Sequence, residues 1–295
     1  MAITLVMPLK INAHNDYDEL SRFSEIQMKS FKNFLDPSIL KEFIVITPPN
    51  DLEVVRKKLT SEYPEFPFNF VDENILIPEK ILFDSGWRKQ MLLKILAANI
   101  VSTPFYLTLD SDVYLTKILK ESDLFFEEKL IFSRNPADVH QGWWKASCKI
   151  LDFDYSKILE QNSIMGVTPE ILVTNVCLQL QAELRLIANS PDFITWLLDK
   201  VSTEKLKWTE YSLYWVFLLR QKKVKEYYSF KGPHLLANAI WKLDDNDLRK
   251  NTLNELVERN FKNNKNSFFS LIQSNIPGLD QSYLAQLVLR QLEQC

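Results

Sequence analysis

The sequence predicts an α/β fold in which strands and helices alternate through the first half of the chain. Three observations support this prediction. Short apolar runs recur along the chain, segments with helical spacing of apolar residues separate them, and Ser, Asp, Asn or Pro residues mark the junctions. Strands that are separated by helices pair in parallel through crossover connections, so roughly the first 115 residues are expected to form a Rossmann-like half of the protein.

Seven segments form this half, and each is assigned by its apolar period and its end signals. In chain order they are the strand ITLVMPLKI, the helix YDELSRFSEIQMKSFKNFL, the strand EFIVITPP, the helix DLEVVRKKLTSEY, the strand FNFVDENIL, the helix SGWRKQMLLKILAANIV and the strand PFYLTLDSDVYL. Ser85 is the candidate N-cap of the third helix, since serine at this position accepts from the free N–H groups of the first turn.

The second half is less regular. Its predicted segments are a strand KLIFSRN, a loop SIMGVTPEILVT, a helix PDFITWLLDKV, a helix TEYSLYWVFLLRQKK that begins at Thr209, and a short strand VKEYYSF. After about residue 245 the chain becomes rich in Asn and Lys, and SYLAQLVLRQLEQ is an amphipathic final helix. We therefore divide the chain into a domain of residues 1–245 and a helical appendage of residues 246–295.

Composition narrows the class of protein. The 295 residues carry a net charge of −3, which argues against sequence-blind nucleic-acid binding, because that requires a broad basic face. Three widely spaced cysteines form neither a disulfide framework nor a CxxC metal site. No apolar run approaches the ~18 residues that span a bilayer, and the first apolar run is too short for a signal peptide. A cytoplasmic protein is the natural expectation.

The pattern Asp-x-Asp occurs four times, at 16/18, 110/112, 152/154 and 245/247. Only Asp110 and Asp112 follow a buried strand, and ligands of parallel sheets bind at the carboxyl ends of strands. In a strand, residues i and i+2 point to the same side, so both carboxylates can converge on one Mg²⁺ or Mn²⁺ ion. The alternative is that two charges end a strand at a surface turn.

With the strand, the acid pair and the preceding helix in place, the chain resembles the GT-A-type glycosyltransferases, nucleotide-sugar-dependent enzymes, and is closest to poorly characterised bacterial members. Four landmarks occur in the family's usual order: SGWRKQ as the glycine-containing loop, LDSD as the metal-binding motif, WTEY as the later acidic position, and GPHLL as the late histidine. The resemblance covers roughly residues 3 to 240. It implies a Rossmann-like mixed sheet flanked by helices, to which the C-terminal helical extension is added.

The resemblance also implies roles for individual residues. Asp112 would be the main ligand of a divalent metal, Mn²⁺ or Mg²⁺, and Asp110 would contact the ribose or the donor sugar beside it. His234 would help to hold the metal or the diphosphate. Gly86 would let the backbone approach the nucleotide sugar.

Glu210 would serve the acceptor as a base, although the commoner pattern has a second acid where Tyr211 stands, and this departure leaves the base assignment open. An acid in the first turn of a helix also complements the helix dipole, which is its alternative role. The same dipole lowers its pKa, so burial would have to restore its basicity.

Three basic residues are further candidates for donor binding. Arg88 and Lys89 fall in the first turn of a predicted helix, where cations oppose the dipole. That placement makes sense if they face phosphates together with the free N–H groups of the helix, whereas the alternative is that both point into solvent. His14 follows the first strand, near the expected nucleotide pocket. Trp143 and Trp144 could stack on an acceptor sugar or pack in the core.

The leading hypothesis is a metal-dependent glycosyltransferase that moves a sugar from a nucleotide-diphosphate sugar to a glycan, lipid-linked or small-molecule acceptor by an inverting displacement. The expected partners are these substrates, with peripheral membrane contact through the tail left open. A haloacid-dehalogenase-type phosphatase is one alternative, but that family places its acid pair on the first strand. A non-catalytic protein that binds sugar or nucleotide on the same fold is the other, and the departure at Tyr211 supports it.

Overall fold

The structure is a computed structural model that describes residues 2–11, 17–244, 250–262 and 265–294. Its strands are β1 (Ile3–Pro8), β2 (Leu40–Thr47), β3 (Phe68–Asp72), β4 (Phe105–Thr108), β5 (Val113–Leu115), β6 (Phe125–Phe126), β7 (Lys129–Leu130), β8 (Arg134–Asn135), β9 (Ile164–Met165), β10 (Glu170–Val173), β11 (His234–Ile240) and β12 (Ser267–Ile272).

The helices lie between these strands and cover the sheets. They are α1 (Glu19–Arg22), α2 (Lys29–Phe34), α3 (Leu52–Glu62), α4 (Gly86–Leu96), α5 (Gln141–Ile150), α6 (Ser156–Leu159), α7 (Thr174–Ala188), α8 (Phe193–Glu204), α9 (Glu210–Arg220), α10 (Val224–Tyr227), α11 (Lys250–Lys262) and α12 (Gln281–Leu292). A π-helical segment, Phe23–Met28, joins α1 to α2. In the part of the chain that the structure describes, no helix combines the length and the hydropathy needed to cross a membrane.

The central sheet has five strands in the order β10-β4-β1-β2-β3. Strands β3, β2, β1 and β4 are parallel, and β10 pairs antiparallel with β4. Strands β1 and β4 are buried along their whole length, because helices cover the faces of such a sheet. The prediction of a mixed α/β sheet flanked by helices is confirmed.

The order of the strands creates a switch point between β1 and β4. From β1 the chain continues to β2 and β3 on one side of the sheet, and it later returns to place β4 on the other side of β1. A crevice forms where the connections diverge, at the carboxyl ends of the two strands, and ligands of such sheets bind there. The turn that follows β4 carries Asp110 and Asp112.

A second, smaller sheet has the order β11-β12-β5. Strand β12 is parallel to β11 and antiparallel to β5, with Leu271 opposite Val113. The segment 246–295 therefore contains a strand besides its helices, and this strand lies between two strands of the preceding 245 residues. The division of the chain at residue 245 stays a prediction.

Four predicted segments differ in the structure. The predicted strand KLIFSRN forms two separate short strands, β7 and β8, which pair with β6 and β9. The run PFYLTLDSDVYL is two strands, β4 and β5, because the chain leaves the central sheet at the acid pair and joins the smaller sheet. The segment that contains Gly166 and Pro169, predicted as a loop, forms β9 and β10, and β10 gains its hydrogen bonds by pairing with β4. Remote pairing thus outweighs the local turn signals.

The segment VKEYYSF, predicted as a strand, forms the short helix α10. Side-chain hydrogen bonds fix its end instead of a strand ladder. The Tyr228 hydroxyl bonds to that of Tyr214 at 2.7 Å and donates to the carbonyl oxygen of Ile171 at 2.6 Å. Buried Tyr228 thus anchors the end of α10.

Candidate active site

Asp110 and Asp112 lie in the turn that leads from β4 to β5. The buried side chain of Gln27, in the π-helical segment, holds this turn on both sides: its Nε2 donates to the carbonyl oxygens of Asp110 at 2.9 Å and Val113 at 2.8 Å. The side chain of Asp110 is 35% exposed, so it faces the open side of the crevice. The acid pair is thus a fixed feature and not a loose surface turn.

A buried lysine provides the positive charge beside the acid pair. The Nζ atom of Lys94, on α4, lies 2.6 Å from Oδ1 of Asp110 and 3.1 Å from Oε1 of Glu210. Its side chain is only 3% exposed. Burial alone would lower the pKa of Lys94, but the carboxylates of Asp110 and Glu210 hold it well above its ordinary value. Lys94 therefore stays charged and joins two residues that the sequence analysis had singled out separately.

Glu210 is the first residue of α9, and Thr209, where the helix was predicted to begin, is its N-cap, since its Oγ1 accepts from the N–H of Ser212 at 3.2 Å. Burial raises the pKa of Glu210, and the charge of Asp110 raises it further, while Lys94 acts in the opposite direction. Burial therefore counteracts the helix dipole, as a base at this position requires.

Tyr211 occupies the position where the commoner pattern of the family has a second acid. Its hydroxyl lies 2.9 Å from Oγ1 of Thr108 and accepts from Nζ of Lys94 at 3.3 Å. The ring also packs close to the lysine, with Nζ 5.2 Å from its centroid. Tyr211 thus completes the polar surroundings of Lys94 without adding a negative charge.

Residues of the C-terminal part of the chain hold Asp112 in place by hydrogen bonds. The N–H of Ser274 donates to its Oδ2 at 3.2 Å, and its own carbonyl accepts from the N–H of Ile272 at 3.3 Å. Burial raises the pKa of Asp112 to about 6, and the charge of Asp110 raises it as well. The N–H of Ser274 and the charge of Arg22 act in the opposite direction. The two carboxylates are therefore close enough to repel each other.

A ring of hydrogen bonds encloses this side of the site. Buried Arg22 donates from one terminal nitrogen to Oγ of Ser111 at 3.3 Å and from Nε to Oε1 of Gln281 at 3.4 Å. Gln281 in turn donates to the carbonyl oxygen of Ser274 at 2.8 Å. The sequence analysis missed these residues. Their partners lie far away along the chain, and Arg22 resembles any basic residue of an amphipathic helix.

Gly86 is the first residue of α4, and the predicted N-cap is confirmed because Oγ of Ser85 accepts from the N–H of Arg88 at 3.3 Å. Apart from its two chain neighbours and the backbone of its own helix, no described atom lies within 4 Å of the place where a Cβ on Gly86 would be. There is thus room beside Gly86 in the first turn of α4. His14, the other residue predicted for this region, lies outside the described residues.

The charges of Arg88 and Lys89 are paired with acids of the segment before α4. Arg88 forms a bidentate pair with Asp84 at 2.7 and 3.0 Å, and Nζ of Lys89 lies 2.5 Å from Glu73. The two cations therefore neither point freely into solvent nor lie unpaired at a phosphate site. A donor phosphate would have to compete with these carboxylates for them.

His234 is the first residue of β11, and its Nδ1 accepts from Nε of Arg134 at 3.5 Å. Burial and the charge of Arg134 lower its pKa. His234 lies opposite Ser267 of β12, whereas Asp112 bonds to Ile272 at the other end of that strand. Five strand positions correspond to about 16 Å. The structure does not bring His234 next to Asp112.

Metal-binding capacity in this region is limited to the acid pair. Within residues 2–11, 17–244, 250–262 and 265–294, no group of three or more His, Cys, Asp or Glu side chains forms a candidate metal cage. Two carboxylates are nevertheless a sufficient protein contribution for Mg²⁺ or Mn²⁺, which fill their remaining positions with water and substrate phosphates.

The fold is similar to that of solved glycosyltransferases. The apo structure of mouse xyloside xylosyltransferase 1 matches with a TM-score of 0.52 and 12% identity, over 94% of this chain and 99% of that one. The apo structure of the bifunctional glycosyltransferase WbbM matches with a TM-score of 0.52 and 11% identity, over 99% of this chain and 49% of that one. This chain thus spans about half the length of WbbM.

These similarities show the fold, and they confirm the GT-A-type fold that the sequence predicted. No curated protein sequence matches the chain. A family model described as a family of unknown function, DUF6492, matches residues 1–289, and the chain belongs to that family.

Proposed function

We propose that this protein is a glycosyltransferase that uses a nucleotide-diphosphate sugar and a divalent cation. One observation carries the proposal: Asp110 and Asp112 lie together at the carboxyl end of β4, beside the switch point of a GT-A-type sheet. This is the place where a sheet of this kind binds its ligand. The acceptor is a glycan, a lipid-linked sugar or a small molecule with a free hydroxyl group.

The acid pair fits a divalent cation. Burial and the neighbouring charge of Asp110 raise the pKa of Asp112 to about 6, so the protein holds two carboxylates in mutual repulsion. Asp110 and Asp112 would hold the cation, and its charge would relieve that repulsion. When bound, the cation would stabilise the negative charge that develops on the leaving diphosphate.

Lys94 and Glu210 have separate roles in this proposal. Lys94 fixes Oδ1 of Asp110 and thereby orients the carboxylate towards the crevice. Glu210 is the base of an inverting displacement: Lys94 binds its Oε1, and Oε2 takes the proton of the acceptor hydroxyl. The raised pKa of Glu210 supports this role, because a base of higher pKa removes a proton more effectively.

The remaining predicted residues belong to the donor side of the proposal. Gly86 leaves room beside the first turn of α4, where helix N–H groups could bind a phosphate. Arg88 and Lys89 would join them only by leaving Asp84 and Glu73. His234 is five strand positions away from Asp112, so it would contact a part of the donor that lies away from the cation and not the cation of Asp112.

A non-catalytic protein that binds nucleotide or sugar is the second candidate function. The hydrogen bonds of Tyr211 to Thr108 and Lys94 favour it, because they give the position of a second acid a structural role. The phosphatase hypothesis needs the acid pair on the first strand, whereas here the pair follows β4. We therefore do not propose phosphatase activity.

The test is calorimetric titration of the protein with UDP- and GDP-sugars in the presence and absence of Mn²⁺. We expect Mn²⁺-dependent binding, and Asp112→Asn should weaken it at least about 30-fold, since loss of one partner of a buried charge pair costs about 2 kcal/mol or more. Asp154→Asn is the matched control, because Asp154 belongs to another Asp-x-Asp pair and bonds to Ser156.

Binding of no nucleotide sugar across the panel, with or without the cation, would contradict the proposal. Tight binding without transfer to any acceptor would favour the non-catalytic alternative.

A further inference from the structure

An aromatic cluster on the surface has no role in the site described so far. Trp87 is 50% exposed, and its ring centroid lies 6.4 Å from that of the partly exposed Trp143, with the rings tilted by 45°. The imidazole of His140 stacks on Trp143 at 4.0 Å, with only 16° between the planes. We call Trp87, His140 and Trp143 the aromatic cluster.

The helices place this cluster above the candidate base. Trp87 precedes Lys94 by seven residues of α4, which is two turns along the same side of the helix, or about 10.5 Å. Trp143 precedes Ser147 by one turn of α5, and the hydroxyl of Ser147 lies 2.7 Å from that of Ser212 on α9. Both helices therefore contact the start of α9, α4 through Lys94 and α5 through Ser147. The two indoles lie two turns and one turn before these contacts, on the same sides of their helices.

Trp144, the next residue after Trp143, is an example of a tryptophan with a purely structural role in this region. Trp144 is buried, and its Nε1 donates to the carbonyl oxygen of Val139 at 3.1 Å. Trp143 is adjacent in sequence but turns to the surface and meets Trp87 from another helix. Exposed aromatic side chains that come together from two helices are typical of a ligand-binding surface.

We propose that the aromatic cluster is the acceptor subsite and that it binds a pyranose ring of a carbohydrate acceptor. The proposal rests on the proposed glycosyl transfer and names the acceptor class of that site. A pyranose ring has a flat face of C–H groups that covers an indole, while its hydroxyl groups stay at the edge. The exposed side chains of Asp138 and Gln141, next to His140, provide polar groups at that edge.

A membrane surface is the competing occupant. Ile75 and Leu82, in the segment that leads to α4, are 68% and 88% exposed and would suit an apolar contact. They are aliphatic and lie outside the ring-to-ring contacts, whereas His140 stacks on one face of Trp143 and the half-exposed ring of Trp87 lies beside this pair. The exposed face of the Trp87 indole favours a flat ligand over lipid chains.

The experiment is saturation-transfer NMR on the full chain with four probes at millimolar concentration: methyl glucoside, methyl galactoside, maltose and lactose. We expect at least one of them to bind. Trp87→Ala and Trp143→Ala should each weaken that binding about 2- to 10-fold, the range expected for one aromatic contact. Trp87→Phe should retain most of the affinity because it keeps an aromatic face. Trp241→Ala is the matched control, since Trp241 is 41% exposed and lies outside the cluster.

Circular dichroism verifies the fold of each variant. Equal binding by wild type and by both alanine variants would overturn the proposal, and so would the absence of binding to all four probes. Binding to phosphatidylcholine–phosphatidylglycerol vesicles that Trp87→Ala abolishes, with no glycoside binding, would overturn it in favour of membrane contact.

A parallel titration with Mn²⁺ and nucleoside diphosphates separates this proposal from the proposed function. We expect the tryptophan variants to bind the nucleotide as the wild type does. If glycosides bind to the cluster while no nucleotide binds to the protein, glycosyl transfer is contradicted and the aromatic carbohydrate site is supported.

Discussion

The ammonium group of Lys94 lies 2.6 Å from Oδ1 of Asp110, inside a cluster that also contains Glu210 at 3.1 Å. One positive charge thus faces two carboxylates, one of which is almost fully buried. Isolated buried charges are costly, so each member of this cluster depends on the others. The central lysine is the member whose removal leaves both acids without compensation.

We expect Lys94→Met to lower the free energy of unfolding by about 3–5 kcal/mol, because removing one partner of a buried ion pair leaves an uncompensated charge. Urea unfolding at pH 7 measures this change. Lys157→Met is the control: its pair with Glu160 is more than half exposed on both sides, and such exposed pairs contribute little to stability.

The double variant Lys94→Met/Glu210→Gln should recover part of the loss, since it removes the buried negative charge together with the lysine. Similar losses in Lys94→Met and Lys157→Met would show that Lys94 does not hold the cluster together.

The stability of the protein should also depend on pH through Asp112. Its pKa is raised from 3.8 to about 6, so between about pH 4 and pH 6 the folded state keeps a proton that the unfolded state has released. The unfolded state binds fewer protons in this window, and the contribution of Asp112 to stability therefore falls as the pH rises through it. Asp112→Asn lacks this titration, so it should gain stability relative to the wild type from pH 4 to pH 6.

Urea unfolding at pH 4, 5, 6 and 7, without divalent cations, measures the difference between the two proteins. Asp154→Asn is the control, because the hydroxyl and the N–H of Ser156 lower the pKa of Asp154. Its titration therefore lies below this window, and its difference from the wild type should stay nearly constant from about pH 5 to pH 7. A constant difference between wild type and Asp112→Asn across the window would refute the prediction.

The contact between Ser274 and Asp112 offers a test of the C-terminal segment. Ser274→Pro removes the N–H that donates to Oδ2 of Asp112, whereas Ser274→Ala keeps it. Hydrogen bonds to charged groups contribute about 1.5–3 kcal/mol, so we expect Ser274→Pro to weaken binding of Mn²⁺ with a nucleoside diphosphate about 10-fold or more. Ser274→Ala should bind like the wild type. Equal effects of the two substitutions in calorimetric titration would show that the N–H does not position Asp112.

Local signals in the sequence were sufficient for the elements around the site. The apolar runs of β1, β2 and β4, the cap Ser85 and the helix start near Thr209 each depend on a few neighbouring residues, and the structure confirms them. The GT-A-type fold followed from the order of short motifs along the chain. The placement of Asp110 and Asp112 at a strand end needed only the apolar run before them.

Contacts between remote residues could not be predicted in the same way. Lys94 and Glu210 are 116 positions apart, and Ser274 and Asp112 are 162 apart, so no local period connects them. A lysine inside the apolar run MLLKIL was the one available signal for the buried ion pair, since lysine is almost never fully buried without a partner.

The positions of two other candidate site residues, His234 and Arg88, depend on different kinds of signal. The distance between His234 and Asp112 depends on strand register, which the order of motifs does not contain. For Arg88, by contrast, a local signal was present: Asp84 lies four residues earlier, at the spacing at which ion pairs form near a helix start.

The hydrogen bond from Ser274 to Asp112 also determines when, during synthesis of the chain, the site can be complete. A ribosome adds about 5–20 residues per second, so the donor N–H is synthesised roughly 8–32 s after the carboxylate it binds. During that interval the central sheet can fold, but the turn with the acids lacks the strand that later pairs with β5. A nascent chain would therefore acquire its folded sheet before its proposed active site, which would be complete only after translation has passed residue 274.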